Sequence, residues 1–490
     1  MKKKLFAMVC LALASVFAFT SCGGTRTPGG GPGGGPITDN WWTTTGTLNK
    51  DEEGNVVYDN VEIKLSTVVN GEDRGAFNRI VAQFNAQYRG QINIVVTNIA
   101  EAVYESTVAQ QIANGSNAPD ILMSHMKGHK DFADNRLIQP FDEVMEQSGI
   151  TFDMSDYADG LAQYASLGYD DVLFSVPVDA QSMVVYYNKA MLAEYGDGTF
   201  PDNRTDLIAL LERIAEGENI TPIAWSTSLG YFTQYLFITA LMQNGGHLYD
   251  ENDNYYADWR SDPANYESFT AAIASIRDYI YHSPRALASY NMSEADALSA
   301  FLSNNAFIYV SLPWFIDSIA ESYGQLNGGL DEATVKEQYL GAASLAGWFT
   351  DDADSADAAK IFGDSHFFAM SSSVTDITKK AAICEFIRWF TTNGSVGASW
   401  GEAGHMTASK TISSSAEYTA NEVVADYITN FYSGIDNFQC IGITPFYSAI
   451  NSTLSTMLLN ILGTADTSRD ETFIRQAQDD FNAVVDFVNM

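Results

Sequence analysis

The strongest constraint on this chain is an alternation of two periods that begins at Val61. Val61-Glu62-Ile63-Lys64-Leu65 is apolar at every second position, as in a strand with one covered face, and Phe77, Ile80, Val81, Phe84 and Tyr88 then recur at helical spacing. The cycle returns. Ile92-Asn93-Ile94-Val95-Val96 reads as a strand, 102–114 as a helix, Ile121-Leu122-Met123 as a strand ended by Ser124 and His125, and 130–133 as the start of another helical stretch. Strands separated by whole helices need crossover connections, so parallel pairing and an α/β class are expected. A second region of the same kind carries strands at 172–178, 220–225 and 306–312 and a helix over 231–243. Ligands of such open sheets sit beyond the carboxyl ends of the strands, so the strand-to-loop junctions are where function is sought.

Two such regions need a long chain, and 490 residues with 46% hydrophobic and 18% charged side chains suffice for two substantial cores. What precedes them differs. Met1-Lys2-Lys3-Lys4 followed by the apolar run 5–19 reads as a signal peptide, too short for a permanent membrane span. Thr20-Ser21-Cys22 resembles the bacterial lipobox, whose cysteine is lipidated, and the glycines and prolines that follow suit a tether reaching about 25 Å. The expected order is a signal peptide at 1–21, lipidated Cys22 with its tether at 22–40, and a small hairpin at 41–57, with Trp41 and Trp42, laid onto the first lobe.

Sixty-one acidic against 26 basic side chains give a net charge of −35, which repels phosphate backbones and excludes nucleic acid as a partner. A strongly anionic ligand would need a local basic pocket, and the sequence shows no basic cluster. Cys10 leaves with the signal peptide and Cys22 takes the lipid; Cys384 and Cys440 read as separate buried thiols. His125 and His129 have the spacing of a zinc-binding helix face, but Gly128 disfavours a helix there and no third ligand is visible, so no metal is expected. The oxygen-rich run 250–254 lacks the glycine and closing glutamate of a calcium loop and reads as a solvated turn. No cofactor is expected.

Read in order, "QQIANGSNAPDILMSH", "ADNRLIQPFDE", "SVPVDAQSMVVYYNKAML", "YVSLPWF", "KKAAICEFIRWFTTNGSVGASWGEAGHMTASK" and "TPFYSAI" resemble the extracellular solute-binding proteins of ABC importers, in the branch of the maltose-binding protein. The resemblance implies a two-lobed periplasmic-binding-protein-like fold of type II with a hinge between lobes. It puts 58–179 and 366–412 in the first lobe, 180–365 and 413–490 in the second, and crossovers at 179–182, 365–367 and 409–425.

The same resemblance nominates a ligand site. Trp314 stands where the family's Pro-Trp pair lines the cleft, and Trp225 ends a strand at a cleft position of the second lobe; each has core packing as its competing role. Trp400 falls near the rim and Tyr447 in "TPFYSAI", both open between packing and contact. Ser124 and His125 end the third strand, Asp179 is the acid of the first crossover, His366 lies beside the second, and Asn70 follows the first strand. Aromatic faces and paired polar groups are what sugar recognition needs.

The function implied is a monomeric lipoprotein on the outer face of the cell membrane, or in a periplasm. It would capture a carbohydrate, in particular an oligosaccharide, by hinge closure and deliver it to the transmembrane subunits of an ABC permease. It would not be an enzyme. The alternatives are a binding protein for a non-sugar solute, a polyamine or an iron compound, and an extracellular glycoside hydrolase, which would need two opposed carboxyls.

Overall fold

In the computed structural model, residues 40–489 are described except 170–171, 218–219, 227–229, 250–254, 291, 433, 441–443 and 445. The signal peptide, Cys22 with most of its tether, and the acidic turn at 250–254 therefore lie outside the described residues.

The strands in chain order are β1 (Val61–Thr67), β2 (Ile92–Asn98), β3 (Ile121–His125), β4 (Ile138–Gln139), β5 (Ser175–Pro177), β6 (Asp179–Ala180), β7 (Val184–Asn188), β8 (Thr221–Trp225), β9 (Ala306–Ser311), β10 (Leu340–Ala343), β11 (Ile361–Phe362), β12 (His366–Ser371), β13 (Met406–Thr407) and β14 (Phe438–Gln439). They form two main sheets. The first has the order β2-β1-β3-β12-β4, with β5 also on β12; the second has the order β10-β7-β9-β8. β1 explains its own orientation: Ile63 and Leu65 are buried while Glu62 and Lys64 are exposed, and the helix Arg74–Gln87 covers them with Phe77, Ile80, Val81 and Phe84.

Pairing is parallel for β1 with β2 and β3 and for β8 with β9, as the alternation requires. The sheets are nevertheless mixed, because β12 runs antiparallel to β3 and β7 antiparallel to β9 and β10. These antiparallel strands come from distant parts of the chain, so no local period announces them. The expected strand at 172–178 is shorter, and its continuation β6 leaves the sheet to pair with β13. Gly128, expected to disfavour a helix, lies inside the helix Met126–Asp134.

Two apolar cores follow the sheets. One runs from the first sheet through Trp400 and Val424 to the Tyr186 and Tyr309 face of the second; the other covers the Val185, Ile223 and Phe307 face. Residues 41–57 lie on the first sheet's unit: the Trp41 indole donates to Ile138 O at 2.8 Å and stacks on Phe174, and Lys50 pairs with Val56 in an antiparallel bridge. No disulfide joins Cys384 and Cys440. Among the described residues no helix is long and apolar enough to cross a membrane.

Candidate ligand-binding site

Two short pairings join segments far apart in the chain. β6 pairs with β13, and Gln181 forms a bridge with Asp364, two residues before β12 begins at His366. The loops after β1, β2, β3 and β9 converge on the same place, as strand-end sites of open sheets do.

At the centre lies Asp179, wholly buried in β6. Its Oδ1 accepts from His366 N at 2.8 Å; its Oδ2 accepts from His366 Nδ1 and Trp400 Nε1, each at 2.8 Å, and stands 3.3 Å from His405 Nδ1. The other ring nitrogen of His405 meets Asp73 Oδ2 at 3.1 Å. Burial alone would lower the His405 pKa, but hydrogen bonding to Asp179 and Asp73 overcomes it and pushes the group up to about 9. The two carboxylates are held below their usual range, since the histidines outweigh the opposing effect of burial. An imidazolium between two carboxylates is the resulting charge state near neutrality.

That imidazolium is also stacked. The Trp400 indole lies 4.1 Å from the His405 ring at 3°, and the Trp314 indole lies 5.5 Å from it at 14°. Gly404 makes the approach of Trp314 possible: its φ is +96°, and a Cβ there would stand 2.5 Å from Trp314 N. Asp179, His366 and His405 also present ligand atoms within 4.8 Å of one another, a geometry a metal ion could use. Hydrogen bonds of 2.8 Å already join Asp179 and His366, and His405 Nδ1 faces Asp179 Oδ2 at 3.3 Å.

In front of this network is a cavity of about 480 Å³. One side is lined by Val68, Val69, Asn70, Gly71, Asp73, Ala100, Glu101, His125, Lys127 and His366, the other by Tyr235, Leu312, Trp314, Tyr447 and Asn451, with Gln181, Ser182, Met183 and Asp364 between them. His125, His366 and His405 form a row of rings with centroids 4.8 and 5.4 Å apart. At its far end Asp364 Oδ2 lies 3.2 Å from His125 Nδ1 and 3.6 Å from Lys127 Nζ. Burial would raise the Asp364 pKa, and these neighbours hold it well below the usual range.

Residues 70–397 match the family model described as bacterial extracellular solute-binding protein. The chain belongs to that family. The GacH receptor of Streptomyces glaucescens GLA.O, known unliganded and with acarbose, aligns at a TM-score of 0.66 and 16% identity, over 87% of this chain and 99% of that one. The sugar-binding protein MalE of Xanthomonas citri gives 0.68 and 16% over 86% and 98%. At that identity the likeness is one of fold, a two-lobed α/β architecture. The sn-glycerol-3-phosphate-binding periplasmic protein UgpB of Pectobacterium atrosepticum is 27% identical over 128 residues, and that of Shigella dysenteriae 32% over 95. The matched segments span only 28% and 22% of those relatives' length.

Within this solute-binding protein the nominated residues separate into four placements. Asn70, His125, Trp314, His366 and Tyr447 line the cavity. Asp179 and Trp400 lie behind it, 0% and 1% exposed, holding His366 and His405. Trp225 is buried in the second core, edge-on to Tyr279, with its Nε1 on Ser289 O. Ser124 lines a neighbouring cavity of about 340 Å³ and bonds His129 Nε2 at 3.0 Å. His129, whose Nδ1 meets Ser175 Oγ at 2.7 Å, is pushed down to about 3 by burial and does not share a site with His125. Asp73, Glu101, Lys127, Gln181, Asp364 and His405 were not nominated. Glu101, Lys127 and Gln181 closely follow the ends of β2, β3 and β6, so the strand-end rule applied to every junction finds them; Asp73 is the N-cap residue of the helix Arg74–Gln87, and His405 follows a helix, so neither carries that signal.

Proposed function

We propose that this solute-binding protein captures a carbohydrate of oligosaccharide size between its lobes and passes it unreacted to the transmembrane subunits of an ABC permease. Lipid on Cys22 would hold it at the outer face of the membrane. The observation that supports this best is the cavity's make-up: the half-buried indole of Trp314 and the Tyr447 ring stand across from a wall of carboxylates, imidazoles and amides. A pyranose offers C–H faces to the first and hydroxyl pairs to the second. The acarbose complex of GacH and the sugar-binding protein MalE, which share the fold, agree with it.

Capture would work through the crossings. β6 with β13 and Gln181 with Asp364 are ladders of one or two residues, short enough to bend while each lobe stays rigid. A ligand touching both walls favours the closed form by its differential affinity, and the permease reads that form. Hydrolysis is disfavoured by the same carboxylates: a general acid must keep its proton near neutrality, whereas Asp73, Asp179 and Asp364 are all held ionised.

The test is calorimetric titration of the full chain with maltose through maltohexaose, with the sugar recovered afterwards. Tight binding of unchanged oligosaccharide is expected. Cleaved product, or binding of spermidine with no response to any sugar, would overturn the reading.

A further inference from the structure

Apart from His405 Nδ1, which faces Asp179 at 3.3 Å behind the cavity, the unsatisfied buried atoms of the cleft among the described residues are of one kind. Asp73 Oδ1, Gln181 Oε1 and Asp364 Oδ2 are buried without a hydrogen-bond donor, on residues 8%, 4% and 4% exposed that all line the cavity. Each is an acceptor. Asp364 Oδ2 has only the longer ion contacts of His125 and Lys127, and Asp73 has spent its other oxygen on His405. Buried acceptors in a native fold ask for a donor from elsewhere, and in a binding cleft the ligand is the source.

The cationic atoms are committed. Lys127 stands in the first turn of the helix Met126–Asp134, where an anion would bind, but Asp364 lies 3.6 Å and Glu101 3.9 Å from its Nζ, and the Tyr447 ring covers it at 5.0 Å. The helix's first amide, Met126 N, already donates to Ser365 O at 2.8 Å. The place a phosphate group would take is filled by the chain's own carboxylate. His405 is likewise enclosed by Asp73, Asp179 and two indoles.

We propose that the ligand of this cleft carries hydrogen-bond donors at two separated points and no negative charge, its hydroxyl or ammonium hydrogens resting on Asp73 Oδ1 and Asp364 Oδ2, and that phosphorylated and carboxylated compounds are rejected. The inference rests on the reading above only in taking this cavity as the ligand site. It separates this chain from what the partial matches to glycerol-3-phosphate-binding proteins would suggest. A phosphate brings acceptor oxygens to a wall that lacks acceptors' partners, and its charge meets Asp73, Glu101 and Asp364 at once.

The decisive experiment titrates the full-length protein with matched compounds: maltooligosaccharides, glucose, glucosamine, glucose 6-phosphate, glucuronate, glycerol 3-phosphate and spermidine. Neutral or amine-bearing members should bind about 100-fold more tightly than their anionic counterparts, the size that like-charge juxtaposition in a closed site produces. D364N should gain affinity for glucose 6-phosphate by about tenfold, because it releases Lys127, and D73N should lose about tenfold for the neutral ligand. Thermal unfolding of the free variants checks their folding, and the wild-type comparison stands without them. An anionic member that binds as well as its neutral partner would overturn this inference and leave the carbohydrate reading intact. Spermidine as the sole ligand would do the reverse.

Discussion

The two walls of the cleft are built from different materials. The wall from the first sheet is ionisable: Asp364 with His125, Lys127 and Glu101 form one cluster, Asp73 with His405, Asp179 and His366 a second, and the His125 and His366 rings meet between them at 4.8 Å. The facing wall is aromatic and apolar, with Tyr235, Leu312, Trp314 and Tyr447. A charged network can orient a ligand because hydrogen bonds are directional, but a displaced member leaves a buried charge uncompensated. An aromatic wall works by area and tolerates shifts of a ligand along its face. The first wall should therefore set which chemical groups are accepted, and the second how tightly and how long a ligand is held.

The comparison is tested most severely at His405, which backs the ionisable wall and touches the aromatic one through Trp314. H405L leaves Asp73 and Asp179 buried without their cation, and the loss of stability should be about 3–5 kcal/mol by chemical denaturation. The pH dependence has a definite sign. A pKa raised from 6.5 to about 9 gives stability that is complete below 6.5 and disappears as pH rises through about 9, so the gap between wild type and variant should narrow over that window. The depressed carboxylates act the other way, contributing above their ordinary value of 3.8 and less as pH falls. A gap that stays constant from pH 6.5 to 9 would mean that His405 is neutral in the folded protein.

Smaller effects belong to the aromatic wall. W314A should weaken oligosaccharide binding by about 100-fold with little change in which sugars are preferred, since hot-spot indoles contribute area. A change of preference instead of strength would break the division of labour between the walls. G404A introduces a Cβ at φ +96° and 2.5 Å from Trp314 N, so the backbone of 313–314 must shift and the Trp314–His405 stack loosen, with stability falling by about 1–3 kcal/mol and sugar affinity falling less than in W314A. In the W314A background the stability cost should persist, because the clash is with backbone, while the loss of affinity should vanish, because the indole that transmits it is gone; a double-mutant cycle separates the two.

How much of this was legible follows from the range of each signal. The edge of the first sheet was plain because β1 and β2 alternate with one buried face. β7 was not read as a strand: Val184, Val185 and Tyr186 are all buried, so an unbroken apolar run replaced the alternation. The family resemblance nominated Trp314 from its Pro-Trp pair, His366 from beside the second expected crossover and Tyr447 from "TPFYSAI", and all three line the cavity. Of the ionisable wall the sequence offered His125 and His366; the rest takes its meaning from pairs far apart in the chain, since His405 and Asp73 are 332 residues apart and neither residue type is unusual in its own segment.

Trp225 supplies the mildest test, on a residue that sequence and resemblance nominated for the cleft. It ends β8, the kind of position that elsewhere in this chain opens onto the cavity, but its ring points into the second core, 0% exposed and edge-on to Tyr279 at 6.0 Å. Its Nε1 donates to Ser289 O at 3.2 Å, an interaction within the second lobe. W225F removes that donor and part of the buried volume, so stability should fall by about 1–3 kcal/mol. Affinity for the oligosaccharide should stay within about twofold, because the substitution alters neither wall directly. A binding loss approaching that of W314A would place Trp225 among the groups that hold the ligand and would extend the aromatic wall a full strand deeper than the cavity shows.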